Sequence, residues 1–168
     1  INFETVVING DLKHEFGLIS AQEWNDTLKF LDLFENKKIM LIKGNHDNIL
    51  KPLANKKNLE ILDNFKVGDI LIVHGNKIIN ENEIKDIKTI IIGHEHPAIS
   101  FPERRTEKYK CFLKGKYKGK NLIVMPSFNV ITEGSDITKE GLLSPLIENI
   151  DNFEVYVVAD KILNFGKL

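Results

Sequence analysis

Thr89-Ile90-Ile91-Ile92-Gly93-His94-Glu95-His96 is the stretch whose reading decides the fold. Four residues, all β-branched, stop at a glycine and give way to two imidazoles around a carboxylate. A short apolar run bounded by glycine reads as a buried strand. The same arrangement occurs three times upstream. Residues 5–8 end at Asn9-Gly10-Asp11, residues 39–42 run into Gly44-Asn45-His46-Asp47, and residues 70–73 end at His74-Gly75. Helical patterns lie between them. Ser20-Ala21-Gln22-Glu23 has the form of a capping box, in which Ser20 caps and Glu23 reaches back. Trp24, Leu28, Leu31 and Phe34 follow at helical spacing. A second helix carries Ile49, Leu50 and Leu53, with Pro52 limiting where it begins. Residues 59–62 read as a short strand and 81–87 as a short helix or turn. Helix-linked strands of this kind make an α/β sheet. Ligands of open α/β sheets gather at the carboxyl ends of the strands.

The later part of the chain changes character. Residues 109–113 and 122–125 flank Lys114-Gly115-Lys116-Tyr117-Lys118-Gly119-Lys120, a hairpin with a glycine-containing turn. Residues 153–158 and 161–165 form a second strand pair turning at Ala159-Asp160. These hairpins indicate a second, more antiparallel sheet. The basic stretch from Arg104 and Arg105 to Lys120, with Tyr109 and Tyr117 interleaved, could follow a phosphate backbone. The simpler reading, an exposed edge whose lysines block strand addition, is preferred. Pro126-Ser127-Phe128-Asn129 follows a strand, and Ser127 and Asn129 are candidate substrate contacts. Glu133-Gly134-Ser135-Asp136 reads as a mobile loop.

The length, 168 residues, fits a single domain, and 42% apolar with 28% charged residues is an ordinary globular balance. A net charge of -1 provides no global pull toward nucleic acid or membrane. Cys111 is the only cysteine, which excludes an intrachain disulfide and a thiolate cluster. It lies in an apolar run and reads as a buried core residue. No apolar run approaches a membrane span, and no signal peptide pattern opens the chain. A cytoplasmic setting is the expectation. The chain starts without Met, which suggests that a preceding segment is missing.

All five histidines, His14, His46, His74, His94 and His96, lie just beyond a strand. Asp11 offers a carboxylate able to bridge two cations, and Asn45 a neutral amide oxygen. His74, His94 and His96 offer imidazole nitrogens suited to Mn, Fe, Ni or Zn. With Glu95 turning outward, His94 and His96 could serve two adjacent cations. Mixed oxygen and nitrogen donors of this kind are the parts of a two-metal hydrolase. Each group alone has a plainer reading: Gly10-Asp11 is a common turn, and Asn45 could sit in an Asx turn. It is their combination, each after a strand, that points to a site. His14 is either a loop residue bonded to the backbone or a substrate contact.

Gly10-Asp11, Gly44-Asn45-His46-Asp47, His74-Gly75 and Gly93-His94-Glu95-His96 resemble, in order, the second to fifth motifs of the calcineurin-like metallophosphoesterases. The run from Gly10 to Gly17 and the ending His96-Pro97 resemble an archaeal branch related to SbcD-type nucleases and to the bacterial phosphoesterases associated with DNA ligase. The resemblance implies a four-layer α/β/β/α sandwich of two mixed sheets, the metallo-dependent phosphatase fold. It implies a single domain over 1–168 that lacks its first strand and helix. It also implies a phosphoesterase with two divalent metal ions, Mn foremost. Its substrates would be phosphodiesters of nucleotides or nucleic acid. The alternatives are small phosphomonoesters, or a non-catalytic scaffold of the same fold. In that scheme Asp11 bridges the metals, Asn45, His74 and His94 complete one site, and His96 serves the other. His46 protonates the leaving oxygen, and Asp47 tunes or orients it. The family's first motif, an Asp-x-His, is absent, so in this chain the second cation would keep Asp11 and His96 alone.

Overall fold

The computed structural model describes residues 2–12, 20–47, 50–101 and 104–168. His14 lies outside the described residues, as does Ile49. The chain divides into two compact units, 1–65 and 66–168.

The first unit alternates strand and helix: β1 (Thr5–Asn9), α1 (Ala21–Asp32), β2 (Lys38–Ile42), α2 (Leu50–Lys57) and β3 (Ile61–Leu62). The strands pair in parallel in the order β1-β2-β3. Parallel neighbours need a crossover, and the helices supply it. α1 begins as its sequence indicates, with Ser20 Oγ accepting from Glu23 N at 3.1 Å. This satisfies a backbone donor that the helix cannot pair. Leu31 is buried on its inner face, and Trp24 and Leu28 pack against the same cluster as Leu41, Leu50 and Leu53. Phe34 lies past the end of α1, its ring edge-on to Phe30 at 5.5 Å. Pro52 sits in the first turn of α2, where the missing N–H costs nothing.

The second unit is built on a sheet ordered β10-β7-β8-β9-β6-β5-β4, with β11 on β8 and β12 on β11. Its strands are β4 (Asn64–Val67), which spans the unit boundary, β5 (Ile70–Val73), β6 (Thr89–Ile92), β7 (Pro97–Phe101), β8 (Arg104–Tyr117), β9 (Lys120–Val124), β10 (Ser135–Asp136), β11 (Glu154–Val158) and β12 (Ile162–Lys167). β5, β6 and β9 run parallel, while β8 is antiparallel to β7, β9 and β11. Ile90, Ile92, Leu113, Leu122 and Val124 are fully buried in the centre. Each contributes about 1.5–3 kcal/mol of transfer free energy. Cys111 lies in this core, fully buried, and burial pushes its thiol up to about 12.

Two sequence expectations change here, and a third, the short helix or turn at 81–87, is met. The hairpin turn is only Lys118-Gly119, both at positive φ (46° and 79°), as a two-residue turn requires. The lysines expected in a loop therefore sit on strands, with Tyr117 opposite Lys120. Residues 133–136 are not an unpaired loop, because Ser135 and Asp136 pair in parallel with Pro97 and Ala98. The segment at 81–87 is a 3-10 turn, Glu81–Ile84, capped by Asn80. Among the described residues no helix is long and apolar enough to cross a membrane.

Candidate functional site

The candidates fall into two groups, one in each unit. In the first, β1 runs out at Gly10 and Asp11, both in the left-handed region at φ 80° and 50°. Glycine adopts this conformation freely. For aspartate it is uncommon and has to be held. Asp47 does the holding. Its side chain is 2% exposed, and its Oδ2 accepts from Asp11 N and from Gly44 N, each at 2.8 Å. Asp11 Oδ1 in turn accepts from His46 N at 3.1 Å. The ends of β1 and β2 are thus knotted through two carboxylates. The knot needs glycine at 44, because a Cβ there would collide with the carboxylate and the backbone N of Asp11. Asn45, next along, is exposed, and His46 is half-buried. Asp47, expected to tune or orient His46, binds the backbone of Asp11 and Gly44.

In the second unit, the parallel strands β5 and β6 end side by side. His74 is 1% exposed and His94 half-buried. Gly93 N and His94 N both donate to His74 O at 3.0 Å. The rings meet edge to face, centroids 5.0 Å apart, with His94 Nδ1 3.2 Å from His74 Nε2. Gly75 follows at φ 101°, where a Cβ would lie 2.8 Å from Ile92 Cβ. Glycine is required on both counts.

Glu95 does not turn outward. It is fully buried, and its carboxylate accepts from Leu143 N (3.0 and 3.2 Å) and Ser144 N (2.8 Å). Burial raises its pKa against the opposing pull of those N–H groups. The expectation failed because a charged residue between two ligands was assigned to solvent, whereas a carboxylate can be buried once it is hydrogen-bonded. His96 adopts φ 50°, held by a bond from its N to Gly93 O (3.2 Å) and one from Ser135 N to its own O (3.0 Å).

Asn129 lies on the loop after β9. Its Oδ1 accepts from Ile131 N (3.0 Å) and Thr132 N (2.7 Å), so it shapes the turn. Ser127 Oγ donates to Thr132 O at 3.2 Å in the same loop. The basic stretch is largely spoken for: Lys114 pairs with Glu154, Lys118 with Glu81 and Lys108 with Glu140, while Lys110 caps Ser127 O. The plainer reading of an exposed edge is corrected in one respect: β8, which carries these lysines, is paired with β7, β9 and β11 and is not an edge strand. Ser144 was not anticipated from the sequence. Nothing in Leu143-Ser144-Pro145 distinguishes it from an ordinary loop; only its contacts do.

The profile of the calcineurin-like phosphoesterase family matches residues 1–160. Among solved structures, the crystal structure of Pseudomonas putida nuclease MPE superposes with a TM-score of 0.66 at 17% identity. The match covers 96% of this chain and 70% of that one. At that identity it establishes a shared fold, an α/β architecture of two sheets and few helices that is the metallo-dependent phosphatase fold. No functionally curated protein matches the chain. The strand-end motifs and the family match over 1–160 agree, and the chain belongs to the calcineurin-like phosphoesterases, metal-dependent hydrolases of phosphate esters.

Proposed function

We propose that the chain hydrolyses phosphodiesters of nucleotides or nucleic acid at a two-cation site. Asp11, Asn45, His74, His94 and His96 would supply the ligands, and manganese is the preferred ion, with iron, nickel or zinc able to substitute. The observation that carries this reading is the 3.2 Å approach of His74 Nε2 to His94 Nδ1. Imidazole nitrogens bound at about 2.1 Å to one ion, with an angle of roughly 90–110° between them, lie about 3.0–3.4 Å apart. The separation of the pair is therefore that of two nitrogens sharing one cation, and without the ion the same approach is a hydrogen bond between the rings. Bound there, divalent cations would supply Lewis acidity toward the phosphoryl oxygens and acidify a water.

The chain's own residues do the rest. His46 holds the proton destined for the leaving oxygen, and its backbone N–H bond to Asp11 Oδ1 ties its loop to the ligand beside it. Asp47 positions that loop, and so acts on His46 indirectly. The likeness to SbcD-type and ligase-associated phosphoesterases, together with a structural neighbour described as a nuclease, favours nucleic acid over small substrates.

His46→Ala is expected to keep bound metal and to lose most turnover on alkyl phosphodiesters, which need proton help at the leaving group. Equal turnover by variant and parent discards that role. Bis-nitrophenyl phosphate against nitrophenyl phosphate separates diester from monoester activity. Monoester-only turnover redirects the substrate to small phosphomonoesters, and a chain that neither binds metal nor turns over either ester is a scaffold.

A further inference from the structure

Glu95 is fully buried, and a carboxylate in that position is unfavourable by several kcal/mol unless hydrogen bonds compensate. Its compensation comes from Leu143 N and Ser144 N, in an irregular segment 48 and 49 residues further along the chain. That segment does not stop at Glu95. Ser144, itself 3% exposed, donates from Oγ to Gly75 O at 2.6 Å, and Leu146 N donates to Ser144 Oγ at 3.3 Å. Gly75 is the residue after His74, and His74 O accepts from Gly93 N and His94 N. The bonds therefore close a circuit: His94, Glu95, the 143–144 backbone, Ser144 Oγ, Gly75, His74, and back to His94. In a closed circuit neither histidine backbone can shift without breaking a buried hydrogen bond.

We propose that Glu95 is a positioning residue for the His74–His94 pair, acting through a strap formed by Leu143 and Ser144 that closes on Gly75. The inference rests on the two-cation reading for its consequence, the affinity for metal, but not for its geometry. Glu95 touches no reacting group. Its effect is to hold the imidazoles at the separation a cation needs, as outer partners of metal ligands do.

The test uses the full chain and Mn(II) alone as the probe. Glu95→Leu keeps the volume and removes both acceptors. Glu95→Gln keeps an amide oxygen able to take both N–H bonds. Ser144→Ala leaves the N–H bonds to Glu95 and breaks the link to Gly75 together with the bond from Leu146 N. Titration calorimetry is expected to show Mn(II) binding weakened roughly 10- to 100-fold in Glu95→Leu, with most of it recovered in Glu95→Gln and a smaller loss in Ser144→Ala. In the metal-free chain, the ring NMR signals of His74 and His94 are expected to move in Glu95→Leu and Ser144→Ala but not in the control Glu154→Gln. Unchanged affinity and unchanged ring signals in a folded Glu95→Leu overturn the proposal. Should that variant fail to fold, the same pair of readouts on Ser144→Ala decides. A parent that binds no Mn(II) removes the two-cation reading, and the metal-free ring signals then decide the strap by themselves.

Discussion

Both units organise their candidate residues around a buried carboxylate that gathers backbone N–H groups, but the partners differ. In residues 1–65, Asp47 bonds the two strand ends that carry the candidates. In residues 66–168, Glu95 bonds an irregular segment that returns through Ser144 to Gly75. The first arrangement combines hydrogen bonds with so close an approach of Gly44 to Asp11 that no side chain fits between them. The second is held by a relay of hydrogen bonds, each worth about 0.5–1.5 kcal/mol net. A locked knot should fail abruptly when crowded, whereas a relay should yield by degrees.

The largest effect is therefore expected at Gly44. Gly44→Ala places a methyl against the Asp11 backbone, which cannot swing aside as a flexible side chain would. A loss of about 3 kcal/mol in urea denaturation is expected, at the upper end for overpacking. A loss under about 1 kcal/mol would show that the Asp11 loop is slack, and the contrast between the units would dissolve. Gly75→Ala is the matching change in the second unit. Its φ of 101° and the contact at 2.8 Å with Ile92 Cβ predict a loss of about 2 kcal/mol, with Ile92 able to give slightly. If Gly75→Ala costs more than Gly44→Ala, the order of rigidity is the reverse of that drawn here.

The smallest effect sharpens the second unit alone. Asp136 is buried on β10, the strand whose Ser135 N bonds His96 O, and burial would raise its pKa. Hydrogen bonds from Ser100, Thr138 and Lys139 outweigh that and bring it down to about 2. A carboxyl whose folded pKa lies below its unfolded value of 3.8 stabilises the fold above that value. The contribution disappears as pH falls from about 4 toward 2. Lys139 is 52% exposed, so solvent screening reduces the contribution to about 1 kcal/mol. Asp136→Asn should flatten the stability profile across that acid window and leave its slope above pH 5 unchanged.

The strands that deliver the site were legible because they are apolar runs stopped by glycine, a pattern that needs no partner to be recognised. α1 was legible for a similar reason, since Ser20 and the stripe of Trp24, Leu28 and Leu31 are local signals. β4, β7 and β10 were not: Asn64–Val67 is half polar, Pro97–Phe101 begins with proline, and Ser135–Asp136 is two residues long. Each exists because a neighbour offers pairing groups, as β7 does for β10. The identities of the candidate ligands followed from side-chain chemistry. The supports did not. Asp47 and Glu95 bind backbone N–H groups, which every residue carries, so no residue type marks their partners. Asn129 illustrates the converse, since an amide useful to a substrate is equally useful to its own turn, and its Oδ1 takes the N–H groups of Ile131 and Thr132.

His96 keeps a left-handed backbone immediately before Pro97, a conformation that glycine accepts and histidine resists. A screen that selects survivors of heating would therefore favour His96→Gly, relaxing the turn by roughly 1 kcal/mol while deleting an imidazole. On the two-cation reading, robustness and chemistry pull in opposite directions at His96, as they do at Asp11 with its φ of 50°. Thermal hardiness gained there would come with the loss of a proposed ligand.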